Sequence, residues 1–173
     1  RSSDLPALTA TPSWSIASGD FDKNGFNDLV FGSGSRVAVI KANATGTGYT
    51  EIAYPQNIFT QRTNFVDINN DGNLDLFACH DVAQSHAYRN DGAGNLIFDI
   101  SFFPTLAVGG NYQSQWSDID NDGDFDMYLS KCRGGAPVGD AQRINLLYLN
   151  NGNGTFTESG AATGVNDGRS EEH

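Results

Sequence analysis

A chain of 173 residues with 38% apolar and 18% charged content is long enough to bury a proper core as one domain. Its formal charge of −11, from 21 acidic against 10 basic residues, argues against nucleic acid or an anionic membrane as partner. No apolar run approaches transmembrane length, so no membrane insertion is expected. The 20 glycines and recurrent Asn-Gly and Asp-Gly pairs point to short strands joined by tight turns, with almost no helix.

Residues 1–12 read as a lead-in segment. The chain starts Arg1-Ser2 rather than Met, and that dipeptide returns as Arg169-Ser170 before Glu-Glu-His. Both read as cloning scars, 169–173 as a tag remnant, and the chain as a mature or excised piece.

A first unit, 13–56, opens with a strand from Trp14 to Asp20 and an acidic loop. Strands follow at Leu29-Val30-Phe31, Arg36 to Lys41 and Tyr49 to Ala53. A second unit, 57–107, repeats the order: Thr63 to Asp67, a loop, Leu76-Phe77-Ala78, Ser85 to Arg89 and Leu96-Ile97-Phe98. The third, 108–168, has Ser114 to Asp118, a loop, Met127-Tyr128-Leu129, Asn145 to Leu149 and Thr155-Phe156-Thr157. Four short strands in about 48 residues is the size of a propeller blade or another β array. The triplets after the loops are apolar on both faces, which requires cover on both sides, as stacked sheets provide.

The three loops are Asp20-Phe21-Asp22-Lys23-Asn24-Gly25-Phe26-Asn27-Asp28, Asp67-Ile68-Asn69-Asn70-Asp71-Gly72-Asn73-Leu74-Asp75 and Asp118-Ile119-Asp120-Asn121-Asp122-Gly123-Asp124-Phe125-Asp126. Their first residues are 47 and 51 positions apart (20 to 67, 67 to 118). Oxygen-bearing side chains stand at places one, three, five and nine, and Gly stands sixth, where a sharp turn needs positive φ. Carboxylates converging on one point repel each other unless a cation sits among them. Hard oxygen ligands in this number suit Ca²⁺ better than Mg²⁺. The alternative is three acidic surface turns without metal, which leaves the recurring ninth-place Asp unexplained. An EF-hand would need Glu at place twelve, where Phe31, Ala78 and Leu129 stand.

Loops of this form, followed by an apolar triplet and then Asn-x-Gly-x-Gly and an aromatic, resemble the FG-GAP/VCBS repeats. The resemblance covers about residues 13 to 168. It implies an all-β fold, a partial β-propeller of three four-stranded antiparallel blades as in the integrin α-subunit head, and three calcium sites. By that resemblance Asp20, Asp22, Asn24 and Asp28, Asp67, Asn69, Asp71 and Asp75, and Asp118, Asp120, Asp122 and Asp126 take calcium-binding roles. The backbone carbonyls of Phe26, Asn73 and Asp124 complete the sites, which leaves the Asp124 side chain free to face water. Propellers close with four to eight blades, so three are expected to expose two unpaired flanks. The remaining blades of a parent chain, or self-association, would cover them.

Two further features bear on partners. The stretch 131–143 is long, Gly-rich and carries Lys131, Arg133 and Arg143, a candidate loop for a protein or glycan ligand; the alternative is a solvated insertion. Cys79 and Cys132 follow their acidic loops at equal parity, so both should face the same way on neighbouring units. An extracellular setting then predicts a Cys79–Cys132 disulfide, the alternative being two buried thiols. Asn43-Ala44-Thr45 and Asn153-Gly154-Thr155 match the glycosylation pattern. With His80, His86 and His173 the only histidines and no nucleophile elbow, no catalysis is expected. The expected function is an extracellular or cell-surface, or else periplasmic, calcium-stabilised module for binding or adhesion. The alternatives are an accessory part of a secreted carbohydrate-active enzyme, for glycan binding or as scaffold, and a spacer without ligand.

Overall fold

The computed structural model describes residues 7–103 and 108–166; the segments read as scars lie outside the described residues. Among the described residues twelve strands form three four-stranded sheets. The first holds β1 (Ser15–Gly19), β2 (Asp28–Gly32), β3 (Val37–Ala42) and β4 (Tyr49–Ala53). The second holds β5 (Thr60–Val66), β6 (Asp75–His80), β7 (His86–Asn90) and β8 (Leu96–Phe98). The third holds β9 (Asn111–Ser117), β10 (Asp126–Lys131), β11 (Leu146–Asn150) and β12 (Phe156–Glu158). Each sheet is an up-and-down antiparallel meander with strands in sequence order. Helix is confined among the described residues to one turn, α1 (Gly160–Thr163), and no helix there is long and apolar enough to cross a membrane.

The sheets stack as the two-faced triplets require. Val30, Val37 and Val39 of the first sheet pack against Leu76, Ala78 and Tyr88 of the second. Phe77, Cys79 and Ala87, on the opposite face of the second, meet Met127, Leu129 and Tyr148 of the third. The middle strand β6 is therefore buried at all six positions, whereas Leu29 of β2 and Tyr128 of β10 are only half-buried. Each buried Val, Leu, Phe or Met among them is worth about 1.5–3 kcal/mol. The connections between sheets add wedges that strand patterning does not mark. Ile58 fills the first seam. Phe103 sits in the second, with its ring centroid 4.4 to 5.5 Å from those of Phe156, Tyr148, Phe77 and Trp116.

First strands lie against first strands across both seams. The Ser15 and Thr63 hydroxyls are 2.8 Å apart, and Ser114 donates to Asn64 at 2.6 Å. The expected open flanks are partly covered. Thr9 gives its N–H and its hydroxyl to the Glu51 carboxylate (2.8 and 2.7 Å), and Ala10 packs on Phe31, Ala38 and Ile40. On the far side the Tyr128 hydroxyl reaches the Val165 carbonyl at 3.4 Å. Ile16, on the outer face of the first sheet, stays 62% exposed.

The predicted disulfide is not formed: Cys79 and Cys132 are free thiols. Residues that face the same way on stacked sheets stand one sheet spacing, about 10 Å, apart, too far for a disulfide. Cys79 faces the third sheet and donates to Ser114 Oγ at 3.4 Å; Cys132 lies beyond the end of β10.

Candidate metal centres

The three acidic loops share one backbone. Gly25, Gly72 and Gly123 at the sixth place have φ of 89°, 82° and 97°. Lys23, Asn70 and Asn121 at the fourth place are also left-handed, at 58°, 56° and 63°. Asn at the fourth place of the second and third loops is compatible with that region, whereas Lys23 has no local means of favouring it.

The side chains repeat their roles as well. The first-place carboxylate accepts the backbone N–H of places five and six: Asn24 and Gly25 on Asp20 (2.9 and 2.8 Å), Asp71 and Gly72 on Asp67 (3.0 and 2.7 Å), Asp122 and Gly123 on Asp118 (both 3.1 Å). The fifth-place side chain accepts the N–H of the seventh residue, Phe26, Asn73 or Asp124, at 2.9, 2.8 and 2.9 Å.

The ninth-place Asp is fully buried in every loop, at 0% exposure for Asp28, Asp75 and Asp126. One of its oxygens accepts the second-place N–H: Phe21 at 3.2 Å, Ile68 at 3.0 Å, Ile119 at 2.7 Å. The other accepts the N–H at the end of the third strand: Ala42 at 2.8 Å, Asn90 at 2.7 Å, Asn150 at 2.8 Å. The residue thus pins loop to sheet. Burial pushes the Asp75 carboxyl up to about 7, against the pull of the Asn90 and Ile68 N–H groups and with help from Asp71 and Asp67. Burial likewise raises Asp28, with Asp22 and Asp20 adding to it.

In the first and third loops the acids converge. Single carboxylate oxygens of Asp20, Asp22 and Asp28 lie within 4.8 Å of one another, as do those of Asp118, Asp120 and Asp126. The second loop has Asn69 at the third place. Its amide nitrogen donates to Asp71 at 3.0 Å, while its amide oxygen is buried without a hydrogen-bond partner. A buried, unpaired acceptor among carboxylates is what a hard cation would satisfy, so this donor set fits one. In the first loop the Lys41 ammonium already stands 2.9 Å from Asp22.

Other expected site residues are placed differently. The Asp124 side chain does not face water: it is buried and accepts the Asn70 amide, joining the second loop to the third. In the 131–143 stretch the three cations are engaged internally. Lys131 is 0% exposed and donates to Asn111 at 3.2 Å, and burial lowers its ammonium to about 8. Arg133 pairs with Asp81 at 3.2 Å, and Arg143 donates to the Ala136 carbonyl at 2.9 Å.

Two residues beyond the expected set belong to the centres. Asn90 and Asn150 end the third strands of their sheets. The Asn90 amide nitrogen donates to the Phe21 carbonyl of the preceding loop (2.8 Å) and the Leu74 carbonyl of its own (2.9 Å). Asn150 does the same with Ile68 (3.2 Å) and Phe125 (3.3 Å). Their signal in the sequence is the Asn-x-Gly that opens each following turn; the matching place in the first sheet is Ala42.

Stacked four-stranded meanders, each with an acidic nine-residue loop between its first and second strands, define a propeller-type β-repeat array. The FG-GAP-like repeat model matches residues 20–78 and 67–129. The chain belongs to the FG-GAP-like repeat family. It has no significant match among curated proteins.

Proposed function

We propose that the chain is a calcium-stabilised propeller segment of an extracellular or cell-surface protein, serving binding or adhesion without chemistry of its own. The observation that carries this reading is the threefold recurrence of the oxygen-lined loop, with the unpaired buried oxygen of Asn69 in the middle copy. Family membership adds to it, because FG-GAP repeats often hold calcium and are typical of extracellular proteins.

Calcium, when bound, supplies positive charge that offsets the clustered carboxylates. The side chains of Asp20, Asp22, Asn24 and Asp28 would hold it in the first loop. Asp67, Asn69, Asp71 and Asp75 would do so in the second, and Asp118, Asp120, Asp122 and Asp126 in the third. The seventh-place carbonyls of Phe26, Asn73 and Asp124 complete each set. The third loop has an acid at all four places and should bind most tightly; the first, with Asn24 and with Lys41 already beside Asp22, should bind most weakly. Affinities on the order of 10⁻⁴ to 10⁻⁶ M fit modules of this kind.

Isothermal titration with CaCl₂ tests the reading. Uptake of about one ion per acidic loop supports it, and no heat of binding at millimolar calcium overturns it. A partner would be a protein or a glycan, and additional blades or a second copy would complete the stack. Lys131 is too buried to meet either ligand, which leaves Arg133, Arg143 and the loop backbone for any contact in the 131–143 stretch.

A further inference from the structure

The three ninth-place carboxylates lie on one continuous path of hydrogen bonds. Asp28 accepts the Phe21 N–H at 3.2 Å, and the Phe21 carbonyl accepts the Asn90 amide at 2.8 Å. Asn90 gives its own N–H to Asp75 at 2.7 Å. Asp75 accepts the Ile68 N–H at 3.0 Å, and the Ile68 carbonyl accepts the Asn150 amide at 3.2 Å. Asn150 gives its N–H to Asp126 at 2.8 Å. Each asparagine is held in place by its own side-chain oxygen, which accepts Gly92 N–H at 3.0 Å or Gly152 N–H at 3.1 Å. Both asparagines are buried. The same atoms make the same bonds at both seams, although the partners are 69 and 82 residues apart in the chain.

We propose that Asn90 and Asn150 are positioning residues that couple the acidic loops, so that a cation bound in one loop strengthens binding in its neighbour. The inference rests on calcium being the ligand of these loops. A bound ion fixes the ninth-place carboxylate and, through it, the second-place residue. That residue's carbonyl then presents a fixed acceptor to the next asparagine. The asparagine in turn places its N–H on the next ninth-place carboxylate. The path transmits a displacement only because each step is buried and directional, and coupling of this kind is reciprocal.

The test is a CaCl₂ titration of the full chain followed by amide NMR. The sixth-place glycines Gly25, Gly72 and Gly123 report one loop each. Asp120→Ala disables the third loop at a residue off the path. The titration midpoint of Gly72 is then expected to move to calcium concentrations about fivefold higher or more. In the Asn150→Ala background the same Asp120→Ala change should leave Gly72 where it was. An unshifted Gly72 midpoint in Asp120→Ala alone overturns the coupling while leaving calcium binding intact. That comparison needs no asparagine variant, so it stands even if Asn150→Ala does not fold. No response of any of the three glycines to calcium would overturn the coupling together with the calcium reading beneath it.

Discussion

The Asp75 carboxylate accepts the backbone N–H of Asn90 at 2.7 Å, joining the end of an acidic loop to the end of the third strand of the same sheet. Its second oxygen holds Ile68 at 3.0 Å. Asp75→Ala would strand two buried donors, each costing about 1–3 kcal/mol when left unpaired. In calcium-free buffer the variant is expected to lose about 2–4 kcal/mol of stability by urea unfolding. A loss below about 0.5 kcal/mol would mean that the carboxylate matters only as a metal ligand.

Cys79 and Cys132 should differ in reactivity. Burial pushes the Cys79 thiol up to about 12, so it holds almost no thiolate at neutral pH, whereas Cys132 is partly accessible. Iodoacetamide on the folded chain is expected to label Cys132 alone, read by intact mass and peptide mapping. A disulfide-linked mass, or equal labelling of both, would contradict the stacking that buries Cys79 between the second and third sheets.

His86 lies in the seam between the first and second sheets, facing His80, Tyr88 and Phe98. Burial, and then His80, bring its imidazole down to about 4. The folded value lies below the unfolded one, so the unfolded chain takes up the proton first and stability falls as pH drops from 6.5 towards 4. Asp75 works the other way, because its raised folded value removes stability as pH climbs from 3.8 through about 7. Comparing wild type with His86→Phe isolates the histidine. The variant should gain about 2–3 kcal/mol relative to wild type between pH 6.5 and 4. A difference that does not change with pH would contradict the buried neutral imidazole.

Much of the fold could be read from the chain, because its information is local. Alternation, Gly-rich turns and a nine-residue pattern at near-constant spacing place each strand within a few residues. What could not be read is non-local. The amides of Asn90 and Asn150 serve loops one sheet earlier, and nothing near them in the chain records it. Lys131 sits in a Gly-rich stretch, where a cation would be expected at the surface, yet the fold closes over it beside Asn111. Ile58 and Phe103 belong to connections, and only the seam they fill gives them a core role. For the cysteines equal parity was no guide to a bond, since two residues that face the same way on stacked sheets are held apart.

If calcium occupies the acidic loops as proposed, cations, and not side-chain contacts alone, hold them to the stacked sheets. Thermal unfolding of the full chain in excess CaCl₂ and in excess EDTA, at one ionic strength, tests it most directly. A melting temperature several degrees higher is expected with calcium, as mass action on the folded state requires. Superimposable melting curves in the two buffers would contradict it.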